Sequence, residues 1–494
     1  MSEPRSPRFF TFRSRLTNPD PIAGAVTRSS SRMLHEFIIS KTAELTEQRF
    51  GDLSYKGFAM KPIIEHKVYW QIMSDPEIEE LFREDPIRVD EPRIVRVINR
   101  KIDLLGTPPL MYPLRIVKDV GYWLMSVLKS SPRQPTDVVI PINQKKYFPY
   151  LQKVEQELRD TGTSVRYYAY DKCRRDVDVS DTRRFMRERR DFPAFWNQCY
   201  FRADTVCRAI DKILGTWGYH LPQKTFVVEG DTSILHITGL ASRMIGSKSF
   251  CLQWGFVGTP VPKTGWRNMP FDRFLAWGEF FRESIEDYNP DIQIRMVGHP
   301  GLEERGTESD SAARLSSESP RIILFAVQKI MRPFINQDDL ERFMEAAIQT
   351  ARDLPDYQIR IRSHPNYPIP EDVKEQYADI PNIEWHDYFR STLDESLRNA
   401  HMCVTISSTL ALEALHYGVI PLYLKINTIE LYLHRIGHLF RKITGNQYPH
   451  VAEPGSVASL IKKIDSMKPK PFYTQHLFSD TGDSAVQNIV SALK

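Results

Sequence analysis

From about Thr136 onward the chain repeats one pattern, a short apolar run followed by a helical stretch. The runs "TDVVIPI", "TSVRYYAYD", "TFVVEGD", "SFCLQWGF", "DRFLAWG" and "IQIRMVG" each end in polar or glycine residues. Apolar runs of this length read as strands buried on both faces. Helices between them make the sheet parallel and cover its two sides. The pattern breaks at "GLEERGTESDSAARLSSESP" (Gly301 to Pro320), which is rich in Ser, Glu and Gly and nearly empty of large apolar side chains. That composition predicts a linker or exposed loop. A second series follows, with strands at "RIILFAVQ", "QIRIRSHP", "NIEWH", "MCVTISS" and "VIPLYL" and helices at "DDLERFMEAAIQTARDL", "TLDESLRNA" and "TLALEALHYG". The expected fold is α/β, with two Rossmann-like doubly wound domains facing a cleft and a mostly helical N-terminal extension. The expected boundaries are 1–133 for the helical extension, 134–300 for the first domain, 301–320 for the linker and 321–494 for the second domain.

Size and charge agree with this division. A chain of 494 residues exceeds what one core ordinarily organises. The 66 Lys and Arg against 62 Asp and Glu leave a net charge of +4, so no basic field points to nucleic acid. The Arg- and Asp-crowded segment Lys172 to Arg190 reads as a solvated face. The five cysteines form no CxxC pair, which suits a reduced, cytoplasmic protein. The Arg- and Pro-rich start "MSEPRSPRFFTFRSRL" lacks the apolar core of a secretion signal. No run of about 18 uncharged apolar residues is present, so no spanning helix is expected. "YPLRIVKDVGYWLMSVLKSS" (Tyr112 to Ser131) carries Arg115, Lys118 and Asp119. It reads as a helix packed on the protein, with peripheral contact at the inner face of a membrane as the alternative. The Asp and His residues lack metal-ligand spacing, so no metal is expected.

Ligands of doubly wound sheets bind beyond the carboxyl ends of the strands, so residues at those ends are the candidates. Ser407, Ser408 and Thr409 lie where "MCVTISS" gives way to "TLALEALHYG". A helix start presents unpaired N–H groups and a partial positive charge, which suits a phosphate. Plain helix capping needs one hydroxyl of the three. His364 and Pro365 end the second strand of the same series; histidine can donate to a phosphate or protonate a leaving oxygen. Glu413, within the helix after the hydroxyls, can accept from two ribose hydroxyls or simply face solvent. Gln328 and Lys329 follow the first strand, where Lys329 is either a phosphate partner or an ordinary surface lysine. The second His-Pro pair, His299-Pro300 in "MVGHP", receives no catalytic role.

These residues carry a resemblance. The second half resembles the nucleotide-binding domain of GT-B glycosyltransferases. It is most similar to bacterial enzymes of surface-polysaccharide synthesis: sialyl- and polysialyltransferases, capsule Kdo transferases and CDP-glycerol glycerophosphotransferases. In those proteins an His-Pro and a Ser-Ser or Ser-Thr pair bind the cytidine nucleotide and its phosphate. Here they match His364-Pro365 and Ser407-Ser408-Thr409. Residues Leu252 to Pro300 resemble the end of the first domain in such proteins, except that Gln253-Trp254-Gly255 stands where Gln-His-Gly is common. The likeness spans roughly Thr136 to Lys494. It implies a metal-independent, inverting transfer from a nucleotide-sugar, CMP- or CDP-linked rather than UDP-linked, to a glycan or lipid-linked acceptor, with no permanently bound cofactor. The implied base is an acidic residue in the first domain, matched by Glu229-Gly230-Asp231 with Asp231 preferred over Glu229; Asp231 as a cap of the next helix is the alternative. His364 and the hydroxyls would stabilise the departing phosphate. Two other readings fit the same build: a UDP-N-acetylglucosamine 2-epimerase type of enzyme, and a non-catalytic binding protein of polysaccharide assembly.

Overall fold

A computed structural model describes residues 30–55, 57–84, 89–106, 135–142, 147–169, 222–229, 233–255, 267, 269–302, 321–365, 367–397, 399–427, 447–467 and 476–494. Asp231 and the Tyr112 to Ser131 and Lys172 to Arg190 segments lie outside the described residues, as do 303–320 of the expected linker.

The N-terminal part contains α1 (Ser30–Phe50), a small antiparallel pair β1 (Ser54–Tyr55) and β2 (Phe58–Ala59), α2 (Lys61–Met73), α3 (Pro76–Arg83) and α4 (Glu91–Gly106). Helix α3 starts where its sequence says it should. Asp75 accepts from the Glu77 N–H and Pro76 fills the first turn, where its missing N–H costs nothing. These helices touch both halves of the molecule. The ring of His66 on α2 stacks on His236 at 4.5 Å, while the rings of His35 and Phe82 meet Phe334 at 5.7 and 5.6 Å. Arg83 pairs with the buried Asp339 at 2.8 Å. The extension therefore braces the two lobes rather than hanging from one of them.

The first lobe holds β3 (Val138–Ile142), α5 (Phe148–Asp160), β4 (Val165–Ala169), β5 (Lys224–Val228), α6 (Ser233–Met244), β6 (Lys248–Leu252), β7 (Arg273–Ala276), α7 (Glu279–Tyr288) and β8 (Gln293–Met296). Its six strands pair in the order β4-β3-β5-β6-β7-β8, all parallel. All five residues of β3 are buried, as a strand covered on both faces requires.

The second lobe holds β9 (Arg321–Ala326), α8 (Gln337–Asp353), β10 (Tyr357–Arg362), α9 (Glu371–Gln376), β11 (Ile383–His386), α10 (Leu393–Leu397), β12 (Ala400–Thr405), α11 (Leu410–His416), β13 (Ile420–Leu424), β14 (Val451–Ala452) and α12 (Val457–Met467). Its order is β11-β10-β9-β12-β13-β14, again all parallel. Numbered within the lobe this is 3-2-1-4-5-6, the order of dinucleotide-binding sheets, whose direction reverses between the first and fourth strands. The two lobes are thus Rossmann-like doubly wound domains.

The chain then returns to the first lobe. His299 and Thr481 form a parallel bridge, and the last helix, α13 (Gly482–Leu493), packs on α5. Its Val486, Ile489, Val490 and Leu493 share one buried cluster with Val138, Ile140 and Phe226. The last residues of the expected second-domain span of 321–494 therefore pack on the first lobe. Among the described residues no helix is long and apolar enough to cross a membrane.

Candidate functional site

The reversal point of the second sheet lies at the carboxyl ends of β9 and β12, and there the sequence candidates gather. Thr405, the last residue of β12, anchors the turn. Its Oγ1 accepts from the Ser408 N–H at 3.2 Å and donates to the Ala326 carbonyl at 3.4 Å, with Gln328 Nε2 at 3.5 Å. Gln328 is buried and Lys329 half-buried. Among the described residues Lys329 has no ion-pair partner. Of the three hydroxyls, Ser408 is the one used locally, accepting from the Leu410 N–H at 3.2 Å. Thr409 begins α11 without a side-chain cap. Ser407 is half-buried and makes no hydrogen bond among the described residues. Helix α11 has only 7 residues, so its dipole is weak and the hydroxyls are the stronger donors here.

His364 and Pro365 leave β10 on the same edge, half-buried, in a tight turn closed by Tyr367 N–H to the His364 carbonyl at 2.9 Å. The preceding Ser363 links this edge to the next strand: its N–H donates to the His386 carbonyl and its Oγ accepts from the Tyr388 N–H, both at 3.0 Å.

Opposite stands the carboxyl edge of the first sheet. Glu229 follows β5 with φ of 70°, a left-handed backbone that costs a non-glycine residue about 1–2 kcal/mol and is typical of positions held for function. Its carboxylate accepts from the Tyr147 hydroxyl, across the reversal between β3 and β5. Burial first, then Glu229, push the Tyr147 phenol well above its usual range. After β6, Gln253 is fully buried and fixes the neighbouring turn. Its Oε1 accepts from the Trp277 N–H at 2.9 Å and its Nε2 donates to the Gly255 carbonyl at 3.1 Å. Trp254, in place of the histidine common in the resembling proteins, is only half-buried and meets the rings of Tyr147 at 4.5 Å and Tyr150 at 4.9 Å.

The two edges meet at two points. Gly255, with φ of 86°, lies so near Thr409 that a Cβ there would stand 3.4 Å from its Oγ1. His299 Nε2 lies 3.5 Å from the Glu413 carboxylate. The Gly301 N–H donates to His299 Nδ1 at 3.1 Å, so a neutral imidazole carries its proton on Nε2, toward Glu413. His299 is 2% exposed, flanked by Trp277 at 4.1 Å and Phe478 at 5.8 Å. Glu413 therefore faces the other lobe instead of bulk solvent. His299 is the residue that the sequence reading passed over. The available signal was positional: like His364, it precedes a proline at the carboxyl end of a strand.

Chemically, the second-lobe edge offers neutral hydroxyls, an amide and a lysine, a set suited to phosphate oxygens. The first-lobe edge offers a carboxylate, a histidine and partly open aromatic rings, suited to hydroxyl groups and sugar faces. Among the described residues no group of three or more His, Cys, Asp or Glu side chains is arranged to hold a metal.

No family model matches the chain, and no curated protein matches it. Among solved structures, MurG of Acinetobacter baumannii is 12% identical with a TM-score of 0.44, covering 73% of this chain and 99% of its own. UDP-GlcNAc 2-epimerase of Neisseria meningitidis, solved bound to UDP-GlcNAc, is 11% identical with a TM-score of 0.45, covering 72% and 99%. The glycosyltransferase SnogD of Streptomyces nogalater is 13% identical with a TM-score of 0.41, covering 73% and 100%.

Proposed function

We propose that the cleft binds a nucleotide-activated sugar and transfers the sugar to a glycan acceptor. The carrying observation is the reversal point of the second sheet, where Ser407, Ser408, Thr409, Gln328 and Lys329 converge opposite the carboxylate and aromatic edge of the first. In this reading the hydroxyls and Lys329 hold the phosphate, Glu413 holds ribose hydroxyls, and His364 with Pro365 lines the leaving-group side. Asp231, or Glu229 two residues before it, takes the acceptor's proton as the new glycosidic bond forms and the bond to the donor phosphate breaks. His364 supplies a donor to the oxygen on which negative charge develops. A CMP-linked sugar acid is the favoured donor and a surface polysaccharide the favoured acceptor, by the resemblance of the His-Pro and Ser-Ser-Thr motifs. No catalytic metal enters this scheme.

One observation favours a second reading. His299 Nε2 lies 3.5 Å from the Glu413 carboxylate across the cleft without a hydrogen bond, and a sugar-nucleotide epimerase needs acid and base groups at such a place but no acceptor.

Thermal stabilisation by CMP, CDP, UDP and GDP, with and without Mg²⁺, tests the site, because a ligand of the folded state raises the midpoint by mass action. Selective stabilisation by CMP or CDP supports the transferase, while UDP together with an epimerised free product supports the second reading. The Ser408→Ala variant should keep the fold, losing about 0.5–1 kcal/mol of capping, and should bind nucleotide more weakly. Unchanged affinity for every nucleotide would remove the hydroxyls from the site.

A further inference from the structure

We propose that Arg362 is an anion-binding group of the cleft and receives a phosphate or carboxylate of the ligand. The identity of that ligand rests on the nucleotide-sugar reading above; the anion itself does not.

Arg362 is the last residue of β10, in register with Ala326 of β9 and His386 of β11, and so stands on the same edge as His364. It is 4% exposed. Its Nη1 donates to four oxygens, all neutral: the Ser391 carbonyl and Oγ at 3.0 Å, the Thr392 carbonyl at 3.2 Å and Ser396 Oγ at 2.6 Å. These bonds tether the segment after β11 to the strand and account for one nitrogen only. Nε and Nη2 have no hydrogen-bond partner among the described residues, and no carboxylate there comes within 4.0 Å of the guanidinium.

The contrast with Arg360 is direct. It lies two residues earlier on the same face of the same strand, is nearly as buried, and has its charge met by Glu384 at 2.9 Å. A buried charge is ordinarily paired, because desolvation disfavours it otherwise. Arg362 is instead partnered by the ring of Tyr388, 5.1 Å from its guanidinium carbon. The carboxylates of Glu413 and Asp387 and the hydroxyl of Tyr150 lie within electrostatic range but not in contact. Tyr150 belongs to the first lobe, which places the guanidinium where the two lobes meet. The free Nε and Nη2 form the side edge of the guanidinium, two parallel N–H donors whose spacing matches two oxygens of a carboxylate or phosphate.

The test uses the full chain at constant ionic strength, with sodium phosphate, CMP, UDP-N-acetylglucosamine and CMP-N-acetylneuraminate as probes, by thermal midpoint and calorimetric titration. Phosphate should raise the wild-type midpoint above that in chloride, and Arg362→Gln should abolish the rise. A tenfold or greater loss of CMP affinity in the variant assigns Arg362 to the phosphate. A loss confined to CMP-N-acetylneuraminate, with CMP and UDP-N-acetylglucosamine unchanged, assigns it to the sugar carboxylate. Arg362→Lys, which keeps charge but not the fork, should recover only part of the affinity. The proposal is overturned if folded Arg362→Gln binds all probes within twofold of wild type. If that variant fails to fold, absence of phosphate-specific stabilisation in the wild type overturns it equally. Phosphate binding without any nucleotide binding would keep the anion site and sink the nucleotide reading; nucleotide binding indifferent to Arg362 would do the reverse.

Discussion

Alanine at Gly298 would load the junction that holds His299 in place. Gly298 has φ of 86°, a left-handed conformation that costs a residue with a Cβ about 1–2 kcal/mol. The added Cβ would also stand 2.3 Å from the Asp480 carbonyl oxygen and 2.8 Å from the Asp480 Cβ, so backbone must move. The Asp480 carbonyl accepts from the His299 N–H at 2.9 Å, and the Gly482 N–H donates to the His299 carbonyl at 3.2 Å. Weakening those two bonds costs about 0.5–1.5 kcal/mol each, for an expected total of about 2–5 kcal/mol. Urea unfolding followed by tryptophan fluorescence reads this, since Trp277 accepts from the Ser479 N–H at 2.9 Å and reports the same junction. Gly418→Ala is the control: φ is 74° but nothing lies within 4 Å of the new Cβ, so only the conformational cost of about 1–2 kcal/mol remains. Equal losses in the two variants would refute the close-approach argument.

Ile489→Ala should destabilise the first lobe by about 2–4 kcal/mol, because Ile489 is fully buried against that sheet; a loss seen only in the second lobe's hydrogen-exchange protection would contradict the packing. Asp75 gives a pH prediction. Burial alone would raise its pKa, but bonds from Lys101, the Glu77 N–H and Arg100 outweigh it and hold the carboxyl below its usual range. A depressed folded-state pKa stabilises above the unfolded value, about 4, and that stability is lost as pH falls through the folded value. The difference in unfolding free energy between wild type and Asp75→Asn should therefore be full at pH 6 and shrink below about pH 4; a pH-independent difference would exclude the carboxylate as its source.

Much of the second lobe was legible because its strands are short, rich in apolar residues and punctuated at their carboxyl ends. Punctuation marks Ser407 to Thr409 and His364, whereas Glu229 enters only through the resemblance, beside the preferred Asp231. Pairing between lobes was not legible. His299 follows β8 in the first lobe and Glu413 lies on α11 in the second, and nothing local in "MVGHP" announces a carboxylate 3.5 Å away. Burial of the arginines in "QIRIRSHP" has no local signature: Arg360 and Arg362 are 8% and 4% exposed, because the segment Ser391 to Ser396 covers that face and takes their hydrogen bonds. The amphipathic pattern of the last helix shows that one face is buried but not against which sheet, so its crossing to the first lobe had no local signature.

That crossing matters for a chain made from its N-terminus. Strands β3 to β8 emerge first, but the face of their sheet that Val486, Ile489 and Leu493 cover stays open until α13 has been synthesised. At about 5–20 residues per second the delay between β8 and α13 is roughly 10–40 s. During that interval the second lobe, whose strands are all contiguous in sequence, can form its own sheet. The first lobe meanwhile has only α5 over the face that carries Val138, Ile140 and Phe226. Nascent chains stalled before residue 482 should accordingly be the species most dependent on chaperones, and the lobe translated first should be the last to become native.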